Sequence, residues 1–337
     1  MKVKFEETVE SAPFPAYNKD ANANDVQVEP GGQLMRSPVG GNMRKKRWFL
    51  CALAALMVMG GLSGCAREQG GLSVMASFYP MADFAEKIGG DRVRVTTMVP
   101  SGTEPHDWEP SPQDIVNLEK AKVFVYNGAG MEHWAQDVLD SLSNVSLIAV
   151  EASKGVALID EGAGDTDPHV WLNPENAKIE MAAIRDALVK ADPDGKATYE
   201  ANYNRYASEL DKLDAEYRAA LSGLKNRDVV VAHAAYGYLC QAYDLNQTAI
   251  EGLTPDSEPD PARVAQIIDF AKAHAVKVIF FEELVSPKVA QSIAAQVGAG
   301  TDVLSPVEGL TDEETKAGDD YFSVMRKNLT ALKTALE

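Results

Sequence analysis

The 337-residue chain carries five histidines, and three of them stand where a metal could be held. His106 lies in Pro105-His106-Asp107-Trp108-Glu109-Pro110 and His169 in Asp167-Pro168-His169-Val170-Trp171-Leu172-Asn173-Pro174. His233 closes the apolar run at 229–232. Three neutral imidazoles and one carboxylate form a borderline-soft, four-coordinate set that suits tetrahedral Zn²⁺. Two glutamates compete for the fourth place. Glu308 follows the short apolar run 302–304 and precedes Gly309-Leu310, and Glu282 ends the run 276–281. If Glu308 takes the ion, Glu282 becomes a candidate to fix the tautomer of one imidazole. No HExxH or CxxC spacing ties these residues together, and each histidine alone would more often be solvated. They make a site only if the fold brings them to one point.

The other two histidines read differently. His133 follows Gly128-Ala129-Gly130-Met131-Glu132, suits the start of a surface helix, and is at most an accessory ligand. His274 sits near a helix end, where a cation is mildly favoured. Gly128 and Gly130 lack the third glycine of a phosphate loop, no GxSxG elbow occurs, and no residue is assigned a catalytic role. The acidic stretch 160–167 reads as a solvated loop that raises the cation concentration near His169.

Strand-like and helix-like segments alternate, which implies parallel sheets covered on both faces. Strands are expected at 73–79, 92–99, 123–126, 146–150, 228–232, 247–250, 276–281 and 302–304. Helices are expected at 81–88, 111–120, 174–190, 261–274, 287–297 and 319–336. Ser111 and Pro112 suit a helix start, with Asp114 in its first turn. Between the two sets, Tyr199, Tyr203, Tyr206, Leu210, Leu213, Tyr217 and Leu221 step by fours and threes, an apolar stripe on one long helix. At 1.5 Å per residue, such a helix of about 27 residues spans roughly 40 Å. The expectation is an α/β protein of two lobes with parallel-type sheets, bridged by that helix, with the metal in the cleft between them. In open α/β sheets, ligands bind outside the carboxyl ends of the strands.

The composition is that of a globular protein, 45% hydrophobic and 24% charged. A formal charge of −18 argues against nucleic acid as a partner and is compatible with a cation. The one long apolar run, 48–62, follows the basic cluster Arg44, Lys45, Lys46, Arg47 and is short for a bilayer span. It ends in Leu62-Ser63-Gly64-Cys65, which resembles the lipobox of bacterial lipoproteins. That resemblance implies cleavage before Cys65 and lipid on its thiol. Cys51 then leaves with the signal, and Cys240 remains as a buried small hydrophobe, so no internal disulfide is expected. The expected organisation is 1–42 as a disordered extension or start-site error and 43–64 as the signal peptide. The N-terminal lobe follows at 65–190, then the linking helix at 194–222 and the C-terminal lobe at 228–337.

The segments PHDWEPSPQD (105–114), DPHVWLNPENA (167–177), VAHAAYGYL (231–239), FFEELVSP (280–287) and SPVEGLTDEE (305–314) resemble the zinc- and manganese-binding solute receptors of bacterial ABC importers. These are the ZnuA/TroA-like, or cluster A-I, lipoproteins, and the resemblance runs from about residue 73 to 337. It implies metal ligands at His106, His169, His233 and Glu308, with Glu282 behind them. It also implies delivery of the ion to a permease in the cytoplasmic membrane by an anchored monomer outside the cytoplasm. The third position is histidine in zinc members and often glutamate in manganese members, so His233 favours Zn²⁺ as the transported ligand. Mn²⁺ or Fe²⁺ is the alternative, and the chain lacks the His-rich loop of many zinc receptors. A reading of another class is a secreted zinc hydrolase, which would need an open coordination position for water. An adhesin role, suggested for some family members, has no mark in this sequence.

Overall fold

The computed structural model describes residues 71–162, 164–255 and 259–337. The signal peptide expected at 43–64, Cys51, the lipidation expected at Cys65 and the extension expected at 1–42 lie outside the described residues.

The N-terminal lobe is a four-stranded parallel sheet of order β2-β1-β3-β4. Its strands are β1 (Leu72–Ala76), β2 (Val93–Thr97), β3 (Val123–Tyr126) and β4 (Ile148–Glu151). Helices α1 (Tyr79–Gly89), α2 (Pro112–Leu118) and α3 (Ala135–Ser141) connect them. A small antiparallel hairpin, β5 (Asp160–Gly162) with β6 (Asp165–Thr166), leads to α4 (Pro174–Ala191). Helix α5 (Lys196–Leu221) then crosses to the C-terminal lobe. There β7 (Asp228–Val231), β8 (Asn246–Ala249), β9 (Val278–Phe281) and β10 (Gly300–Val303) make a second parallel sheet of order β10-β9-β7-β8. Its helices are α6 (Gly237–Tyr243), α7 (Pro261–Ala273), α8 (Lys288–Val297), α9 (Asp312–Ala317) and α10 (Tyr321–Leu336).

Strand alternation sorts the core into three clusters. In the first sheet, Val74, Ala76, Val123 and Val125 face one cluster, while Met75 and Phe124 face another under α2 and α3. In the second sheet, Val230 and Ile279 turn toward α7 and α8, whereas Val229, Val231 and Phe280 turn the other way. That other way is the same cluster that holds the inward face of the N-terminal sheet, α1, α4, α5 and α10. One apolar core therefore runs through both lobes. Helix α5 is its spine: Tyr199, Leu210, Leu213, Tyr217 and Leu221 are buried, with Tyr203 and Tyr206 packed against the same core. The Asn202 amide donates to the Ile88 carbonyl in the N-terminal lobe (2.9 Å), and the Tyr217 hydroxyl to the Met325 carbonyl in the C-terminal lobe (2.6 Å).

Several expected boundaries shift. The first strand stops at Ala76 and the helix starts at Tyr79, because Pro80 fits a first helical turn where no partner for its missing N–H is needed. Residues 193–195 form their own 3₁₀ turn before α5 rather than its first turn. The stretch 160–167 is not simply a solvated loop. Asp160–Thr166 form the hairpin, and Asp167 is 1% exposed. The short helices α6 and α9 had no sequence expectation, being too brief for periodicity to register, while α3 begins two residues after His133, where a surface helix start was expected.

Candidate metal centre

Each lobe sends two of the expected side chains into the cleft. His106 lies in the loop after β2, His169 at the head of a 3₁₀ turn (Val170–Leu172) before α4, His233 two residues beyond β7, and Glu308 five beyond β10. All four residues are buried, and their ligating atoms lie within 4.8 Å of one another. This is the one such group found among the described residues.

His169 Nε2 stands 3.2 Å from His106 Nε2, 3.2 Å from His233 Nε2 and 3.1 Å from Glu308 Oε1. Glu308 Oε1 is 3.3 Å from His106 Nε2 and 3.7 Å from His233 Nε2. Four donors arranged tetrahedrally at about 2.0–2.1 Å from a zinc ion would stand about 3.3–3.4 Å apart. Five of the six donor–donor separations thus lie close to those of a first-row metal's tetrahedral shell.

Carboxylates behind the rings orient them. Asp167 Oδ1 accepts from the backbone N–H of His169 (2.9 Å) and lies 2.8 Å from its Nδ1. Glu282 Oε1 lies 2.6 Å from Nδ1 of His233. A carboxylate at Nδ1 favours a proton on that nitrogen in both rings, which leaves Nε2 as the nitrogen turned toward the cluster. Glu104 accepts the backbone N–H of His106 at 3.0 Å, which fixes the loop that carries it. The His169 segment is tied to both lobes. Asn127 donates to the Pro168 carbonyl (2.9 Å), Tyr238 to the Asp167 carbonyl (2.8 Å) and Tyr321 to the Trp171 carbonyl (2.7 Å), while the Trp171 indole donates to the Pro306 carbonyl (2.8 Å).

The electrostatics match a site built for a cation. Burial disfavours the charged form of His233, but Glu282 and Glu308 outweigh it and hold its pKa well above the usual imidazole value. His169 is raised in the same way, burial opposing and Asp167 and Glu308 prevailing. Burial would raise Glu308, yet the three imidazoles hold its carboxyl well below the usual range. A cleft of about 1030 Å³ opens beside the site, with Glu104, Asp107 and Glu109 on one wall and Ala232, Phe281 and Lys288 on the other.

Of the two competing glutamates, Glu308 faces the imidazoles and Glu282 stands behind His233. His133 is outside the group, exposed and 3.6 Å from the Glu109 carboxylate. His274 ends α7 and contacts Asp228 at 2.7 Å. Cys240 is buried. Asp167 was missed. The signal for it was local: an aspartate two residues before a histidine, across a proline, can fold back on the next N–H in an Asx turn.

A two-lobed α/β body, one helix between the lobes and a donor cluster shared across the cleft define a solute receptor with a metal-ion pocket. The chain belongs to the ZnuA family: the family model described as "Zinc-uptake complex component A periplasmic" matches residues 74–335. The family is one of solute-binding receptors working outside the cytoplasm. The chain is 40% identical to the high-affinity zinc uptake system protein ZnuA of Bacillus subtilis, over 86% of its own length and 98% of that protein. It is 38% identical to the zinc-binding lipoprotein AdcA of Streptococcus pneumoniae, again over 86% of its length but spanning 61% of AdcA. The Zn(II)-bound ZnuA-like domain of S. pneumoniae AdcA superposes with a TM-score of 0.72 at 40% identity, covering 79% of this chain and 99% of that one.

Proposed function

We propose that this protein captures Zn²⁺ outside the cytoplasm through His106, His169, His233 and Glu308 and hands it to the permease of an ABC-type importer. The supporting observation is the spacing of the four donor atoms, 3.1–3.7 Å over five pairs and close to a zinc tetrahedron. The relatives named for zinc uptake and zinc binding point the same way. Three imidazoles against one carboxylate favour Zn²⁺ over Mn²⁺, which prefers harder oxygen, and Zn²⁺ also stands above Mn²⁺ in intrinsic affinity. A fourth protein donor closes the shell, whereas hydrolysis needs an open position for water, so transport is favoured over catalysis.

Asp167 and Glu282 keep the imidazole lone pairs available. The ion displaces the protons that the metal-free site retains, so uptake and proton release are coupled. Lipid on Cys65 would tether the receptor near its permease, since di- or triacylation anchors firmly where a single chain does not. The test is elemental analysis of the protein purified without added metal, together with calorimetric titration by Zn²⁺ and Mn²⁺. One tight zinc equivalent that is lost in His169→Ala is expected. Tighter binding of Mn²⁺ than Zn²⁺, or zinc retained without His169, would overturn the reading.

A further inference from the structure

Val307, immediately before Glu308, has φ +58° and is fully buried. A β-branched side chain in this left-handed region collides with its own backbone, and such strain persists only where the surroundings impose it. Of the four non-glycine residues with positive φ among those described, Val307 is the one that is β-branched and the one beside the donor cluster.

The surroundings that impose it are on both sides. Asn328, 2% exposed on α10, grips Ser305 twice: its Oδ1 accepts the Ser305 N–H (2.9 Å) and its Nδ2 donates to the Ser305 carbonyl (2.7 Å). The Ser305 hydroxyl accepts the Val307 N–H (3.2 Å). Tyr236 donates to the Leu304 carbonyl (2.5 Å). From the opposite lobe, the Trp171 indole holds Pro306 (2.8 Å) and the Ser101 hydroxyl holds Leu310 (2.8 Å). The segment 304–310 is thus a strut under load, and the loaded shape is the one that presents Glu308 to the three imidazoles.

We propose that Val307 and Asn328 are positioning residues that set how long the metal stays, Val307 straining the Glu308 strut toward release and Asn328 clamping it in place. This deepens the zinc-receptor reading and rests on it. Two of the restraints come from the N-terminal lobe, so a partner that shifts the 304–310 loop off Trp171 and Ser101, with the shared core intact, removes them and lets the strain withdraw the carboxylate. The zinc shell then loses its one anionic donor while the three imidazoles stay in place.

The experiment is stopped-flow release of Zn²⁺ from the purified full chain into excess chelator, with Co²⁺ absorption as the coordination readout. Glycine accepts φ +58° freely. Its relief of strain outweighs the freedom it adds to the open loop, so Val307→Gly should slow release about fivefold with an unchanged four-coordinate Co²⁺ spectrum. Asn328→Ala should speed release about tenfold or more and weaken the Co²⁺ bands as water replaces Glu308. Should Asn328→Ala fail to fold, Asn328→Asp keeps the acceptor for Ser305 N–H but sets a carboxylate oxygen against the Ser305 carbonyl, and should also speed release. Release at or above the wild-type rate in Val307→Gly, or wild-type rate and spectrum in a folded Asn328 variant, overturns the proposal alone. A wild-type chain that takes up no zinc overturns the receptor reading and this proposal with it.

Discussion

Glu282 Oε1 approaches His233 Nδ1 to 2.6 Å, closer than Glu308 Oε1 comes to any of the three imidazoles it faces. The buried carboxylate makes His233 a better donor by holding its proton on the far nitrogen. Glu282→Gln keeps the shape but removes the charge, and a glutamine can also present its N–H₂ to Nδ1 and favour the wrong tautomer. Orienting partners of this kind are worth about 10–100-fold in metal affinity. Glu282→Gln should therefore weaken zinc binding by that order in a chelator competition. Wild-type affinity would remove Glu282 from the site's working parts.

Gly237 guards the other orienting carboxylate. A Cβ there would sit 2.4 Å from Asp167 Oδ2, an impossible approach unless Asp167 moves. Asp167 cannot shift without disturbing both the His169 N–H and its Nδ1. Gly237→Ala should lower zinc affinity about tenfold although residue 237 touches none of the four donors. An unchanged affinity, measured by the same competition, would mean that the loop absorbs the methyl elsewhere.

The acid–base balance of the site gives opposite pH responses with and without metal. His233 has its folded pKa held well above 6.5, with burial opposing and Glu282 and Glu308 prevailing. Its charged form stabilises the metal-free fold below the unfolded imidazole value, and that stabilisation is lost as pH rises through the folded pKa. Glu308, lowered well below 4.5 by the imidazoles against burial, works in the other direction, contributing above that value and failing in strong acid. Metal-free protein should thus lose melting temperature as pH climbs past neutrality. The increment added by saturating zinc should grow over the same range, because fewer protons remain to be displaced. Calorimetric melts from pH 6 to 9 distinguish this from a pH-independent increment, which would contradict a protonated resting site.

How much of this was legible beforehand depends on what kind of signal each feature left. The long helix announced itself because seven apolar residues at helical spacing have one arrangement that buries them, and α5 is that arrangement. Buried parallel strands such as Val278–Phe281 left continuous apolar runs. His106, His169, His233 and Glu308 were legible as types, but only a fold that returns residues 106 and 308 to one cleft makes them neighbours, and no local pattern encodes that. Asp167 was hidden by its company: a row of exposed acids disguises the one that turns inward. The φ of Val307 was beyond any residue-level rule, since valine is the side chain propensity would place there last. It is imposed by Asn328 and Trp171, distant in the chain.

The continuity of the core limits how the receptor can move. Helix α5 is bonded to Ile88 near one end and to Met325 near the other, and the apolar cluster it anchors includes the inward faces of both sheets. A hinge through that cluster would expose residues such as Tyr217, Leu213 and Tyr321, each fully buried. Uncovering side chains of that size costs about 1.5–3 kcal/mol apiece, more than a differential affinity of a few kcal/mol can support once several are involved. The lobes should therefore close little on binding, with rearrangement confined to loops such as 98–111 and 304–310. Small-angle scattering of metal-free and zinc-loaded protein should give nearly superimposable profiles, while hydrogen exchange should slow in those two loops. A clear drop in radius of gyration on adding zinc would mean that α5 bends and that the shared core divides.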